Sequence, residues 1–391
     1  MRALTWHGKR DVRVDDVEDP RLLDERDALV RITSTAICGS DLHLYELMGP
    51  YLHRGDILGH EAMGEVIEVG ESVRHVAPGD RVVIVCQLAC GDCFMCRRGL
   101  QSQCELTQNR EHGTMASLFG YTELYGHVPG LQAELARIPL ADQTLIRVDE
   151  AVPDERVLFL GDVIPTAWQA VQYADAPPGE AVVVLGLGPV GQLAARMARH
   201  LGHAVIGVDP VPERRAMAER HDIVTLDFDD DLPKLVRGAT DGRGPGAVID
   251  AVGTEAHGDP VAAFGQEAGT VLPTGLARAM LQHAAVDRMA ALHLAIDLVR
   301  RGGTVSLSGV YTGLLDPVPM KLVWDKELTI RAGAVNVRRW LDEVRPLAEH
   351  PDDPLGLDDL VTHRRPLADA PEMYERFQKK QDGCIKVVLR P

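Results

Sequence analysis

Four cysteines in one short stretch, Cys90-x2-Cys93-x2-Cys96-x7-Cys104, are spaced as ligands of a single tetrahedral metal ion. Such short intervals let successive thiolates converge on one cation, and four cysteines leave no coordination position for a substrate. The lobe they define, about residues 86–106, is expected to be a closed, structural zinc site. Disulfides fit less well, because the intervals are short for pairing and the chain has seven cysteines, an odd number. Three more separated residues have types suited to an open metal site. They are Cys38 in Cys38-Gly39-Ser40-Asp41-Leu42-His43, His60 in Gly59-His60-Glu61, and Asp162 in Gly161-Asp162-Val163-Ile164-Pro165-Thr166. A catalytic zinc takes three protein ligands and keeps one position for water or a substrate oxygen. Each residue also has a plainer reading: a buried small thiol, a loop histidine, a helix N-cap. Spacing across more than 100 residues leaves both readings open.

The sequence Gly186-Leu187-Gly188-Pro189-Val190-Gly191 follows the apolar run Ala181–Leu185 and opens a helix-like segment, Pro189–His200. In that context the first glycine makes a tight turn, the second lets backbone approach a pyrophosphate, and the third permits close helix–strand packing. The helix N-terminus adds N–H groups and its dipole. Asp209 lies 18 residues beyond Gly191, at the end of a second apolar run, Ala204–Val208. An acid there binds both ribose hydroxyls and repels a 2′-phosphate, which favours NAD over NADP, while nearby Arg214 and Arg215 soften that preference. Val252, Gly253 and Gly309, after the runs Ala247–Ala251 and Thr304–Leu307, are further candidates for cofactor contact.

The elements around these residues divide the chain. Up to about Arg147 the pattern is short strands broken by Gly, Pro and Asp, with Ala28–Ile32, Gly64–Val69 and Arg81–Val85 among them. From about Val163 to Ala334 strands alternate with helices, and the tail ends on a strand-like Ile385–Leu389. The expected organisation is a β-rich domain, residues 1–163 and 335–391, interrupted by an α/β nucleotide-binding domain, 164–334. The chain has 391 residues, 45% of them hydrophobic, enough for two cores. No apolar run approaches the ~18 residues of a membrane span, and the N-terminus has no apolar signal core. With metal-clustered thiols, a cytoplasmic setting is expected. A net charge of −17, from 41 basic and 58 acidic side chains, argues against nucleic-acid binding.

In order and spacing, Cys38-Gly39-Ser40-Asp41, Gly59-His60-Glu61, the four-cysteine lobe and the glycine motif resemble those of zinc-dependent medium-chain alcohol dehydrogenases. Within that superfamily the chain is most similar to the glutathione-independent formaldehyde dehydrogenase group. The carrying residues are Gly130-Leu131-Gln132-Ala133-Glu134, Pro139-x-Ala141-Asp142 and Asp162-x-x-Pro165-Thr166. The resemblance implies a Rossmann domain inserted into a GroES-like β-rich domain and two zinc ions per chain. It places Cys38, His60 and Asp162 on the catalytic ion, with Glu61 an occasional ligand. By the same resemblance Ser40 and His43 relay the substrate proton, Thr166 lies near the nicotinamide, and Lys386 reaches the cofactor pyrophosphate. A homo-oligomer is implied, a tetramer in preference to a dimer.

The implied activity is hydride transfer between a small alcohol or aldehyde and NAD(H). Residues 254–290 form a longer connection than a plain nucleotide-binding domain uses. The similar group has an insertion that covers the cofactor and holds it tightly, which permits aldehyde dismutation; a surface elaboration or subunit contact is the other reading. A polyol dehydrogenase of the sorbitol or threonine type is the nearest alternative enzyme, and a non-catalytic, crystallin-like nucleotide-binding protein the alternative of another class. The segment 109–126, with His112, Phe119 and Tyr121, has no clear match and follows the lobe, where it is a candidate wall of the substrate pocket.

Overall fold

A computed structural model describes residues 1–229, 231–253, 289–311 and 318–391. The insertion 254–290 lies, but for its last two residues, outside them. The chain forms two compact units, one of Met1–Pro165, Val335–Asp353 and Leu357–Pro391, the other of Thr166–Ala334 and Pro354–Gly356.

The first unit is built on a seven-stranded sheet. Its order is His363–Pro366, Val387–Arg390, Ala28–Ile37, Glu61–Val69, Arg81–Ile84, Leu145–Arg147, with Leu135–Ile138 also paired to Ala28–Ile37. Alternating small and β-branched residues supply its core, which includes Val30, Ile32, Val66, Val82, Ile84, Leu131 and Ile138. The central strand runs on to Ile37, five residues beyond the expected Ile32. Its polar positions are accommodated by sheet bonding: the buried Thr35 hydroxyl donates to the Glu61 carbonyl at 2.7 Å. The last strand starts at Val387 rather than Ile385, because the Ile385 and Lys386 N–H groups donate to the Thr362 hydroxyl instead. Register then fixes what meets at the strand ends. Ala36 pairs with Glu61, and Val387 with Ile37.

The second unit holds a six-stranded parallel sheet. Its order is Val224–Leu226, Ala204–Val208, Ala181–Leu185, Ala247–Asp250, Thr304–Leu307, Thr329–Ala332. Numbered along the chain, this is 3-2-1-4-5-6, the doubly wound order of dinucleotide-binding domains. Continuous Val/Ile/Leu runs suit strands buried on both faces, and Val183, Val248 and Val305 are fully buried. The helix Pro189–His200 begins with proline at its first position, where no N–H is needed. The architecture is thus a GroES-like domain plus a Rossmann domain. Among the described residues no helix is long and apolar enough to cross a membrane.

Candidate active site

The four-cysteine lobe is held by turns with little apolar filling. Its only cluster joins Ala89, Cys96, Cys104 and Ala116, while Phe94 and Leu106 stay exposed. Zinc–sulfur bonds of about 2.3 Å put tetrahedral sulfurs roughly 3.8 Å apart. Cys90 Sγ and Cys96 Sγ are 4.0 Å apart, and all four sulfurs lie within 4.8 Å of one another. Backbone N–H groups donate to them: Cys90 to Cys104 Sγ, Cys93 to Cys90 Sγ, Cys96 and Glu105 to Cys93 Sγ, at 3.3–3.5 Å. Burial pushes the Cys104 thiol up, but hydrogen bonds from Thr107 and the backbone outweigh it and bring it down to about 6. Cys93 is drawn down as well, whereas burial pushes Cys90 up to about 11 and Cys96 higher still, so a bound ion would have to displace the protons of those two. Four sulfurs at tetrahedral separation fit a structural zinc ion.

The second set assembles at strand ends of the first unit. Cys38 follows the strand Ala28–Ile37 and caps the helix Gly39–Glu46, where Asp41 Oδ2 accepts its N–H at 2.9 Å. His60 and Glu61 open the neighbouring strand. Gly59, with φ +92°, is required there, since a Cβ would lie 2.4 Å from Gln132 Cγ. Asp162 follows the turn Leu158–Gly161, whose Gly161 approaches the Ile84 carbonyl too closely for any side chain. Donor atoms of Cys38, His60, Glu61 and Asp162 all lie within 4.8 Å of one another. His60 Nε2 is 3.3 Å from Asp162 Oδ2, the separation expected for tetrahedral donors with bonds of about 2.0–2.1 Å. Cys38 Sγ is 3.9 Å from the same oxygen.

The electrostatics also ask for a cation. Burial and the Glu61 carboxyl push the Cys38 thiol up, more than His60 and Lys386 draw it down. Burial disfavours a charged His60, yet Asp41 and Asp162 hold it well above its ordinary range. Glu61 Oε2 is buried without a hydrogen-bond partner. A divalent ion held here would take the place of the thiol and imidazolium protons, and its charge would favour the buried Glu61 carboxylate beside it. The donor set of one thiolate, one imidazole and one carboxylate fits zinc and leaves a position open. Ser40 Oγ stands 3.3 Å from His60 Nε2, and His43 lies three residues further along the same helix. Thr166 lies on the helix Val163–Ala174, one turn beyond Asp162.

Lys386 requires a correction. Its Nζ is fully buried, donates to Glu61 Oε1 at 2.7 Å and to the Ile37 carbonyl at 3.1 Å, and lies 5.2 Å from the centre of the Phe159 ring. An ammonium so enclosed does not reach a pyrophosphate. The pairing of Val387 with Ile37 delivers it to the metal cluster. Burial works against its charge, but Glu61 and Cys38 outweigh that and raise its pKa; burial likewise pushes the Glu61 carboxyl up, against the pull of Lys386. The two side chains thus form a fully buried ion-pair contact at 2.7 Å.

Asp41 and Gln132 carry no assigned role in the sequence, yet they support His60. Asp41 Oδ1 faces His60 Nδ1 at 3.1 Å, a charge contact outside hydrogen-bond geometry, on the far side of the ring from the donor cluster. Gln132 Nε2 donates to Asp41 Oδ2 at 3.4 Å, and Tyr374 donates to Gln132 Oε1 at 2.8 Å. Carboxylates behind metal-bound histidines fix the tautomer. Tyr121 presents its ring edge-on to His60, with centroids 6.1 Å apart, and Tyr125 packs on Tyr121; Phe119 is buried in the core.

In the second unit the glycine loop explains itself residue by residue. Gly186 has φ +83°, and a Cβ there would strike Val252 Cγ2. A Cβ on Gly191 would collide with the Gly186 carbonyl, so this glycine sets helix–strand contact. On Gly188, by contrast, a Cβ would meet nothing nearer than Arg214 Nη1 at 3.9 Å. That open backbone at the start of the helix carrying Pro189 and Val190 fits a diphosphate. Asp209 is 2% exposed; its Oδ2 accepts the Leu187 N–H at 2.7 Å, and Arg214 Nη1 is 3.5 Å away. Arg215 turns instead to the Asp209 carbonyl and to Asp227. Val252 and Gly253 donate to the buried Asp250, and Gly309 is in close backbone contact with Gly253.

Comparison with known proteins agrees with this arrangement. Residues 24–150 match the alcohol dehydrogenase GroES-like domain, and residues 189–292 the zinc-binding dehydrogenase family. The chain is 36% identical to the uncharacterized zinc-type alcohol dehydrogenase-like protein AdhB of Bacillus subtilis, over 100% of both chains. It is 32% identical to a formaldehyde dismutase of Pseudomonas putida, over 100% of this chain and 97% of that one. The structure of alcohol dehydrogenase TADH from Thermus sp. ATN1 matches with a TM-score of 0.82 and 33% identity, covering 100% of this chain and 99% of that one. With both metal-ligand sets and the nucleotide-binding fold in place, the chain belongs to the zinc-dependent medium-chain alcohol dehydrogenase family.

Proposed function

We propose that this oxidoreductase interconverts a small alcohol and its aldehyde with NAD(H), using Cys38, His60 and Asp162 to hold the catalytic zinc. The observation that carries the reading is the mixed thiolate–imidazole–carboxylate set, with its donors within 4.8 Å, in a chain that also has a dinucleotide-type glycine loop. When bound, zinc supplies Lewis acidity toward a substrate oxygen and the nicotinamide supplies the hydride acceptor. The protein's part is positioning and proton handling. Asp41 orients His60 from behind the ring, and Lys386 balances the buried charge of Glu61. The Ser40 hydroxyl, beside His60, takes the substrate's hydroxyl proton, and His43 passes it toward solvent. Tyr121 narrows the space beside His60, which favours small substrates.

Asp209 at the end of the second strand supports NAD over NADP. The likeness to a formaldehyde dismutase supports tight cofactor retention and aldehyde dismutation as the finer reading. The test is to denature purified protein, quantify released nucleotide, and assay the zinc-replete enzyme on short alcohols and aldehydes. About one NAD(H) per chain, with paired alcohol and acid products from an aldehyde, supports dismutation. No released nucleotide, with NADH formed from added NAD and alcohol, supports an exchanging dehydrogenase. Zinc-replete protein that turns over no short alcohol or aldehyde contradicts the proposal.

A further inference from the structure

We propose that His53, Asp56 and His127 form a third metal site, on the surface of the first unit, that takes a divalent zinc ion. His53 Nδ1 is 3.4 Å from His127 Nε2, close to the roughly 3.3 Å of tetrahedral nitrogen ligands. His127 Nε2 is 2.7 Å from Asp56 Oδ1, and His53 Nδ1 is 3.9 Å from Asp56 Oδ2. The three donors lie within 4.8 Å of one another and share no residue with the two sites above. Two imidazoles and a carboxylate are a zinc donor set, with the remaining positions open to water. The hydrogen bond from His127 to Asp56 occupies the place of the ion, which replaces its proton once the two groups open by about half an ångström.

Local structure prepares the donors. Asp56 Oδ2 accepts the His53 N–H at 2.8 Å, and the Asp56 N–H donates to the His53 carbonyl, so both donors sit on one tight turn. His127 has φ +49°, in the left-handed region where histidine is among the better-tolerated side chains, and its ring lies 4.9 Å from that of His53. On the other side of His53, Glu123 Oε2 lies 3.7 Å from Nε2, the ring nitrogen that the ion leaves unused. Carboxylates in that outer position are common partners of metal-bound histidines. Both histidines are more than 45% exposed at the side chain, so solvent ions reach them. An ion here ties the turn that leads to His60 to the segment that carries Tyr121 and Tyr125.

The test counts metal in wild-type protein and in a His53→Gln/His127→Asn double variant, both carrying the metal they are purified with. Asparagine tolerates the left-handed conformation at position 127. After equilibration with the same low-micromolar Zn2+, wild type is expected to hold one equivalent per chain more than the double variant. Glu123→Gln is expected to bind that equivalent roughly 10–100-fold more weakly in calorimetric titration. Equal metal content in wild type and double variant overturns the site. Should the double variant fail to fold, identical isotherms for wild type and Glu123→Gln overturn it as well. Because the count is a difference, it does not depend on how many ions the other two sites retain.

Discussion

The two metal-ligand sets of the first unit are built on opposite plans. In the lobe, four like donors come from 15 consecutive residues, and almost nothing apolar packs beneath them. Around Cys38, unlike donors come from three places up to 124 residues apart, set on strand ends that the main core already fixes. In the first case a bound ion would supply the folding energy that the lobe's own packing lacks. In the second the strand ends are already fixed by the core, and under the proposed function a bound ion would add reactivity rather than folding energy. Even the charges differ: backbone N–H groups stabilise the lobe's thiolates, whereas the mixed set relies on a buried lysine and a second carboxylate, Asp41.

Substitutions that separate reactivity from folding sharpen this contrast. The largest effect is expected from Asp162→Ala. Turnover should fall by more than the roughly 10–100-fold typical of outer-sphere partners, while nucleotide binding and the fold persist. Full activity in that variant would break the assignment. Next, Lys386→Met leaves the Glu61 carboxylate buried and unpaired and should cost about 3–5 kcal/mol in denaturant unfolding, with adding Glu61→Gln restoring part of it. A weakened nucleotide affinity with unchanged stability would instead return Lys386 to the pyrophosphate. Cys96→Ser should act in the reverse sense to Asp162→Ala. A loss of about 3 kcal/mol lowers the melting temperature by roughly 6–12 °C, with proteolysis confined to residues 90–106 and residual turnover kept. The smallest change, Asp41→Asn, is expected to weaken catalytic-metal affinity roughly 10–100-fold, read by chelator competition, without altering the lobe's metal.

The same contrast explains what could be read from the chain. The lobe, the glycine loop, the helix Pro189–His200 and the strands Ala181–Leu185, Ala204–Val208 and Thr304–Leu307 are local patterns, and each lies where its periodicity or spacing puts it. Asp162 is different: nothing within its neighbourhood ties it to Cys38, and only resemblance to a family selected it. The partnership of Asp41 with His60 depends on ring orientation, which no spacing encodes. Lys386 was misplaced because its position follows from the antiparallel register of Val387 on Ile37, a long-range pairing. His53, Asp56 and His127 escaped notice for the same reason, since two segments about 70 residues apart bring them together.

The central claim is that one ion serves catalysis and another holds the lobe. The most direct measurement follows zinc release, turnover and lobe proteolysis together during slow removal of metal by a chelator. Activity lost in step with one equivalent, with the lobe still resistant, and recovered on adding Zn2+ back, is the predicted result. Activity that survives loss of that equivalent, or that falls only when the lobe opens, would contradict it.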